Sequence, residues 1–143
     1  MKNAFSLLEL IIVLIILSIL TSFILLKVNS SINLSVNAKI KSEIALIRNS
    51  IIKSKTKDIL LDNDSLIILD EAEINTDKSL LFKNILDFPL VSTSSLDKVV
   101  GNWIKKTSLE YIIYINDSTF LEFKLEDNSF NCKSAINLCK EFE

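Results

Sequence analysis

The sequence contains no histidine, a single glycine (Gly101) and a single proline (Pro89). Without histidine it lacks the commonest general base and the commonest transition-metal ligand, which weighs against a hydrolase or a zinc centre. One glycine leaves no room for a glycine-rich phosphate loop, and no nucleophile–base pair is visible. The formal net charge of −2 carries no nucleic-acid footprint. Only two cysteines are present, Cys132 and Cys139. Two thiolates cannot complete a tetrahedral metal site without carboxylates or a second copy. They read either as a disulfide in an oxidising compartment or as two small apolar side chains in a reducing one.

What the chain does have is apolar residues, 49% of its 143, and they crowd toward the N-terminus. From Leu10 to Leu26 every residue is apolar except Ser18, Thr21 and Ser22, and neither Pro nor Gly interrupts the run. Joined to Phe5–Glu9, it reaches the length of about 20 residues, or about 30 Å of helix, that spans a bilayer. A membrane-spanning helix is the expectation. The rival is a secretory signal, which has a core of about 7–15 apolar residues and an A-x-A-like cleavage site. The flank TSFILLKVNSS offers no such site. Lys2 precedes the run, and Lys27, Lys39 and Lys41 follow it, so charge favours the C-terminal part inside, whereas a disulfide requires it outside. Glu9 stands near the head of the run. An ionisable group at mid-membrane costs roughly 2.5–3.5 kcal/mol and less near an end. It is therefore either a functional group with a partner or the polar edge of the helix.

Beyond Leu26 the pattern is amphipathic. Val28, Ile32, Val36, Ile40, Ile44, Ile47 and Ile51 recur at helical spacing, with Lys39, Lys41, Glu43, Arg48 and Lys53 on the other face. One continuous helix to about Lys55, on the order of 75 Å long, is predicted. The alternative is two helices with a kink at Asn29-Ser30-Ser31. Ser65–Leu69 reads as a short strand. Asp77–Phe88 reads as a helix N-capped by Asp77 and ended by Pro89, and Val91–Ser95 as a loop.

The last third reads as antiparallel sheet. Val99–Lys105 surrounds Trp103; Leu109, Tyr111, Ile113 and Ile115 share a face; Asn116-Asp117-Ser118 turns; Leu121, Phe123 and Leu125 alternate with Glu122 and Lys124; Asp127-Asn128-Ser129 turns again. Strands laid over the isoleucine stripe give an α+β fold, a long N-terminal helix packed against a small antiparallel sheet. Cys132 and Cys139 follow the last expected strand. Asp117 and Asp127 offer oxygens for calcium, but ordinary turn chemistry explains them, and no other cofactor is expected. Asp58, Asp62, Asp64, Asp70, Glu71 and Glu73 read as a solvated acidic loop, and Trp103, Tyr111 and Tyr114 as packing residues. Asn29, Asn33, Asn63 and Asn116 begin N-x-S/T patterns expected by chance in an Asn/Ser-rich chain.

Lys2-Asn3-Ala4, then Phe5-Ser6-Leu7-Leu8-Glu9-Leu10 and a long apolar stretch, resembles the prepilin signal of type IV pilins and pseudopilins. The resemblance covers about the first 30 residues. It implies a pilin-like fold. It also implies that a prepilin peptidase removes the leader, residues 1–4, by cutting between Ala4 and Phe5, and N-methylates Phe5. Ala4 stands where the family usually has Gly. Glu9 of one subunit would then pair with the Phe5 amine of a neighbour and set the register of assembly. By this reading residues 5–26 are the transmembrane half of the helix, 27–56 its amphipathic half, and 57–143 a globular head. Lack of Gly and Pro in the run fits a pseudopilin or minor pilin better than a major one. A disulfide between Cys132 and Cys139 would match the C-terminal loop of many pilins.

The function implied is structural, not enzymatic: a subunit stored in the bacterial inner membrane, N-terminus cytoplasmic and head periplasmic. It would be polymerised by an assembly platform with other pilin-like subunits, for type II secretion, DNA uptake or a pilus, in the periplasm or at the cell surface. The alternatives are a monomeric single-pass anchor carrying a periplasmic binding domain, and a secreted protein with an unusual signal.

Overall fold

A computed structural model describes residues 7–62 and 66–142, with the side chains of residues 23–33 outside the description. Helix α1 runs Leu7–Leu60. It is continuous, as the absence of Pro and Gly predicts, and it extends about one turn beyond Lys55. It stops where Asp62 takes a left-handed φ of 53°, after the Leu61 N–H closes on the Lys57 carbonyl at 3.1 Å. The chain divides into two compact units, residues 1–35 and 36–143.

In the second unit the isoleucine stripe is the floor of the core. Ile40, Ile44, Ile47 and Ile51 are buried at 0–2% exposure and Val36 is half-buried. Val28 and Ile32, the first members of the predicted stripe, lie outside the described side chains. Over the stripe lies a four-stranded antiparallel sheet in the order β3-β4-β5-β6: β3 Trp103–Lys105, β4 Glu110–Tyr114, β5 Phe120–Glu126 and β6 Ser129–Cys132. Tyr111, Ile113, Leu121, Phe123 and Leu125 point into the core, on the alternation read from the sequence, and Trp103 and Phe130 join them. This is the α+β architecture expected.

Two turns set the register. Between β4 and β5 the Asn116 side-chain oxygen accepts from the Thr119 and Ser118 N–H groups at 2.7 and 3.0 Å. Between β5 and β6, Asp127 and Asn128 both adopt positive φ, the geometry of a two-residue hairpin turn, and pair Glu126 with Ser129. Strand β6 is an element the sequence reading did not resolve. Cys132 therefore ends a strand, and Cys139 sits on a second short helix, α2 Ile136–Phe142. The two sulfurs are bonded, as the disulfide reading required. By chain-entropy estimates so short a loop contributes roughly 2–3 kcal/mol. It brings Phe142 into the core, where Lys41 Nζ lies 5.7 Å from its ring centre.

The segment before the sheet differs most from expectation. Ser65 lies outside the described residues, and residues 66–69 alternate in burial but join no ladder, so the expected strand is absent among the described residues. The helix expected over Asp77–Phe88 is replaced by a two-stranded antiparallel ribbon, β1 Leu80–Leu81 with β2 Leu90–Val91. Lys78 and Phe82 have φ of 58° and 59°, which a right-handed helix cannot contain. The apolar residues at 81, 82 and 86 are buried as a plug of loop, and their spacing imitates a helical face. Val91–Ser95, read as a loop, begins within β2, and Ser92, Thr93 and Ser94 are buried.

The stripe gives a direct check. Ile47→Ala removes a side chain of 0% exposure from the middle of the floor and should destabilise the head by about 2–5 kcal/mol, seen as a lowered thermal midpoint in detergent micelles. Ile52→Ala, at 61% exposure on the opposite face, should leave the midpoint nearly unchanged.

Candidate functional site

The candidate assembly segment opens α1. Glu9 lies in the first turn of the helix and is exposed; a carboxylate there is favoured by the positive end of the helix dipole. Ala4 and Phe5, the expected cleavage and methylation residues, lie outside the described residues. Leu7 through Ser22 are exposed on every side of the helix, including Leu10, Ile11, Ile12, Val13, Leu14 and Ile15 at 44–58%. A helix apolar all round with no packed face belongs in lipid or among other helices.

The three polar residues of the run turn their hydroxyls inward. Ser18 Oγ donates to the Ile15 carbonyl at 2.8 Å, Thr21 Oγ1 to Leu17 at 2.7 Å and Ser22 Oγ to Ser18 at 3.0 Å. A hydroxyl satisfied by its own helix presents little polarity to its surroundings. Among the described residues no helix is long and apolar enough to cross a membrane. The described side chains of this run end at Ser22, and the apolar sequence continues through Phe23-Ile24-Leu25-Leu26.

The head holds a polar cluster that sequence reading missed. Asp70, expected in a solvated loop, is buried at 5% exposure, and its side chain is fully covered. Its Oδ1 accepts from Lys105 Nζ at 2.7 Å and from the Ala72 N–H at 3.1 Å. Its Oδ2 accepts from the Tyr111 hydroxyl at 2.8 Å and from the Phe82 N–H at 2.9 Å. Lys105 also donates to the Ala72 carbonyl at 2.9 Å. With so many bonds made inside the protein, the cluster is a clamp between the 70–82 loop and the sheet. The one signal for it in the sequence is a lysine inside an otherwise apolar strand, Trp103-Ile104-Lys105.

A second polar contact joins α1 to the sheet. Trp103 Nε1 donates to Glu43 at 2.8 Å, and Lys39 Nζ donates to the Gly101 carbonyl at 2.7 Å. Burial raises the Glu43 carboxyl above its ordinary value, against the opposing pull of the Trp103 N–H and the Lys39 charge. Gly101 has φ of 80°, which favours glycine, and a Cβ there would meet the Val36 side chain at 3.2 Å.

Asp117 and Asp127 are both exposed, at opposite ends of β5 in separate turns, so the structure does not bring them together. Among the described residues no group of three or more potential ligands is arranged for a metal. Trp103 and Tyr111 are buried, as their reading as packing residues required, and Tyr114 packs against Phe120 with tilted rings whose centres are 5.6 Å apart. Glu122, Glu126, Lys106, Lys124 and Lys133 form exposed ion pairs on the sheet's outer face, each worth little alone.

Tyr111 gives the clamp a pH signature. Burial first, then the Asp70 charge and hydrogen bond, raise its hydroxyl far above the ordinary value. The folded protein keeps a proton that the unfolded chain releases near pH 10, so this stabilisation is complete below about pH 10 and fades as pH rises beyond it. Tyr111→Phe should cost about 1–2 kcal/mol at neutral pH and make the alkaline loss shallower, measured by urea unfolding from neutral pH to about pH 11.

Comparison with known proteins bears on the N-terminal segment alone. Neither a curated protein nor a solved structure matches the chain. Residues 1–25, with the Ala4–Phe5 junction, Glu9 and most of the all-round apolar helix, match the model described as the prokaryotic N-terminal methylation motif. The chain thus carries the type IV pilin signature at the head of an α+β fold.

Proposed function

We propose that this chain is a structural subunit, a pseudopilin or minor pilin, of a type IV pilus-like filament in a secretion, DNA-uptake or pilus system. The observation that carries the reading is the methylation motif heading a helix whose apolar side chains are exposed on every side. A prepilin peptidase cuts between Ala4 and Phe5 on the cytoplasmic face and methylates Phe5. Residues 5–26 anchor the subunit in the inner membrane and the head faces the periplasm, where an assembly platform draws subunits together. The Cys132–Cys139 bridge supports that orientation, because disulfides persist in oxidising compartments.

The chemistry at the junction is electrostatic. Cleavage turns the Phe5 nitrogen into a terminal cation, and Glu9 lies four residues further along the sequence. Between packed helices the effective dielectric is low, so the Phe5 amine of one copy paired with Glu9 of its neighbour is far better than either charge alone. That pairing fixes the axial offset between subunits. The head contributes no catalytic step in this reading.

Co-expression with a prepilin peptidase should shorten the chain by Met1–Ala4 and add a methyl group, read by intact mass. A product still beginning at Met1 would remove the cation and the mechanism with it. Loss of about 20 or more residues would instead indicate secretion. Glu9→Ala should leave membrane insertion intact, by flotation with vesicles, and abolish recovery of the chain in sheared filaments. Normal filament yield from this variant would rule out the pairing.

A further inference from the structure

The head carries two unlike apolar features at opposite ends of the sheet. At one end is the loop after β2. Leu96 there is 93% exposed and Val99 47%, with Lys98 between them. The loop is held rather than loose: the Lys98 N–H donates to the Ser94 carbonyl at 3.1 Å, and the Asn102 N–H to Val99 at 3.1 Å. Lys98 Nζ lies 5.1 Å from the Tyr114 ring centre, and the Gly101 N–H donates to the Tyr114 carbonyl at 2.8 Å. This knob therefore stands at the end where Tyr114 of β4 pairs with Phe120 of β5.

At the other end, where Glu110 pairs with Lys124, is a groove of about 820 Å³. Leu66, Ile68 and Leu109 form its walls at 87, 64 and 43% exposure, with the nearly buried Leu125 beneath. Glu126 and Asp127 stand at its rim beside Lys124. The ends are separated by the length of β4, roughly 13–16 Å at about 3.3 Å per residue.

We infer that the heads of successive copies dock end to end, the Leu96–Val99 loop of one copy seated in the Leu66/Ile68/Leu109 groove of the next. The occupant is a second copy of this chain for two reasons. Charge is complementary: the knob brings Lys98 and the rim brings Asp127, whereas the neighbouring Glu126 is already paired with Lys124 and Lys133. Knob and groove also lie on different surfaces of one head. Each docking leaves a fresh knob and a fresh groove exposed, so the contact is heterologous and extends an open polymer. A loop already fixed by its own hydrogen bonds loses little further freedom on docking. The inference rests on the subunit reading above and names the contact its heads make.

The test uses the full chain, assembled in cells with its peptidase and platform. Leu96 is replaced by photoreactive benzoylphenylalanine, and filaments are irradiated. The expected product is a dimer whose cross-linked peptide maps to residues 66–70, 108–109 or 124–128 of the other copy. Asp127→Lys should lower its yield about fivefold, as loss of one ion pair does, and Lys98→Asp added to the same chain should restore it. Filaments that form normally while the cross-link lands elsewhere on the head, on lipid or on a different protein would overturn the docking and leave the subunit reading standing. If the unsubstituted chain forms no filament at all, the subunit reading fails and takes the docking with it.

Discussion

Asp70 gathers groups that are distant in sequence: the lysine of β3, the tyrosine of β4 and the backbone of Ala72 and Phe82. Buried charge is tolerable only where such bonds are complete, and removing the Lys105 charge would strand the carboxylate at about 3–5 kcal/mol. Here completion has a geometric consequence. The Phe82 N–H can reach the carboxylate because Phe82 adopts a left-handed φ, which in turn drops its ring among Trp103, Tyr111 and Phe130 at centre distances of 4.7–5.9 Å. The aromatic core is thus organised around a carboxylate, and the loop that carries Leu81, Phe82 and Leu86 is tied to the sheet.

The rest of the head follows from that tie. With residues 70–86 fixed against one end of the sheet's inner face, the isoleucines of α1 close the other side, and the Glu43–Trp103 and Lys39–Gly101 contacts hold the α1–sheet packing in place. The chain's single glycine sits where it is needed, beside Val36 with a positive φ. The disulfide then anchors α2, and Phe142 completes the core.

One helix serves two environments. In its first part, apolar side chains face outward all round and the hydroxyls are absorbed by the helix itself; in its later part, a single stripe is buried and charged residues take the remaining surface. Nothing in the backbone marks the change. It is written in the side chains alone.

The sequence by itself determined the parts governed by local periodicity and spacing. The apolar run, the isoleucine stripe, the alternation in β4 and β5, the Asn116 turn and the Phe5–Glu9 spacing are each properties of neighbouring residues. The cysteine pair belongs here too, since seven positions are a short enough chain to close. Tertiary structure alone decided what happens between Asp62 and Val99. There the apolar spacing at 80, 81, 85 and 86 suits a helix, yet the Phe82 N–H is taken by the carboxylate of residue 70, which the lysine at 105 and the tyrosine at 111 hold in place. A local pattern cannot show a hydrogen bond 12 to 41 positions away, and in a low-dielectric core that bond outweighs helix propensity, which amounts to a few tenths of a kcal/mol per residue.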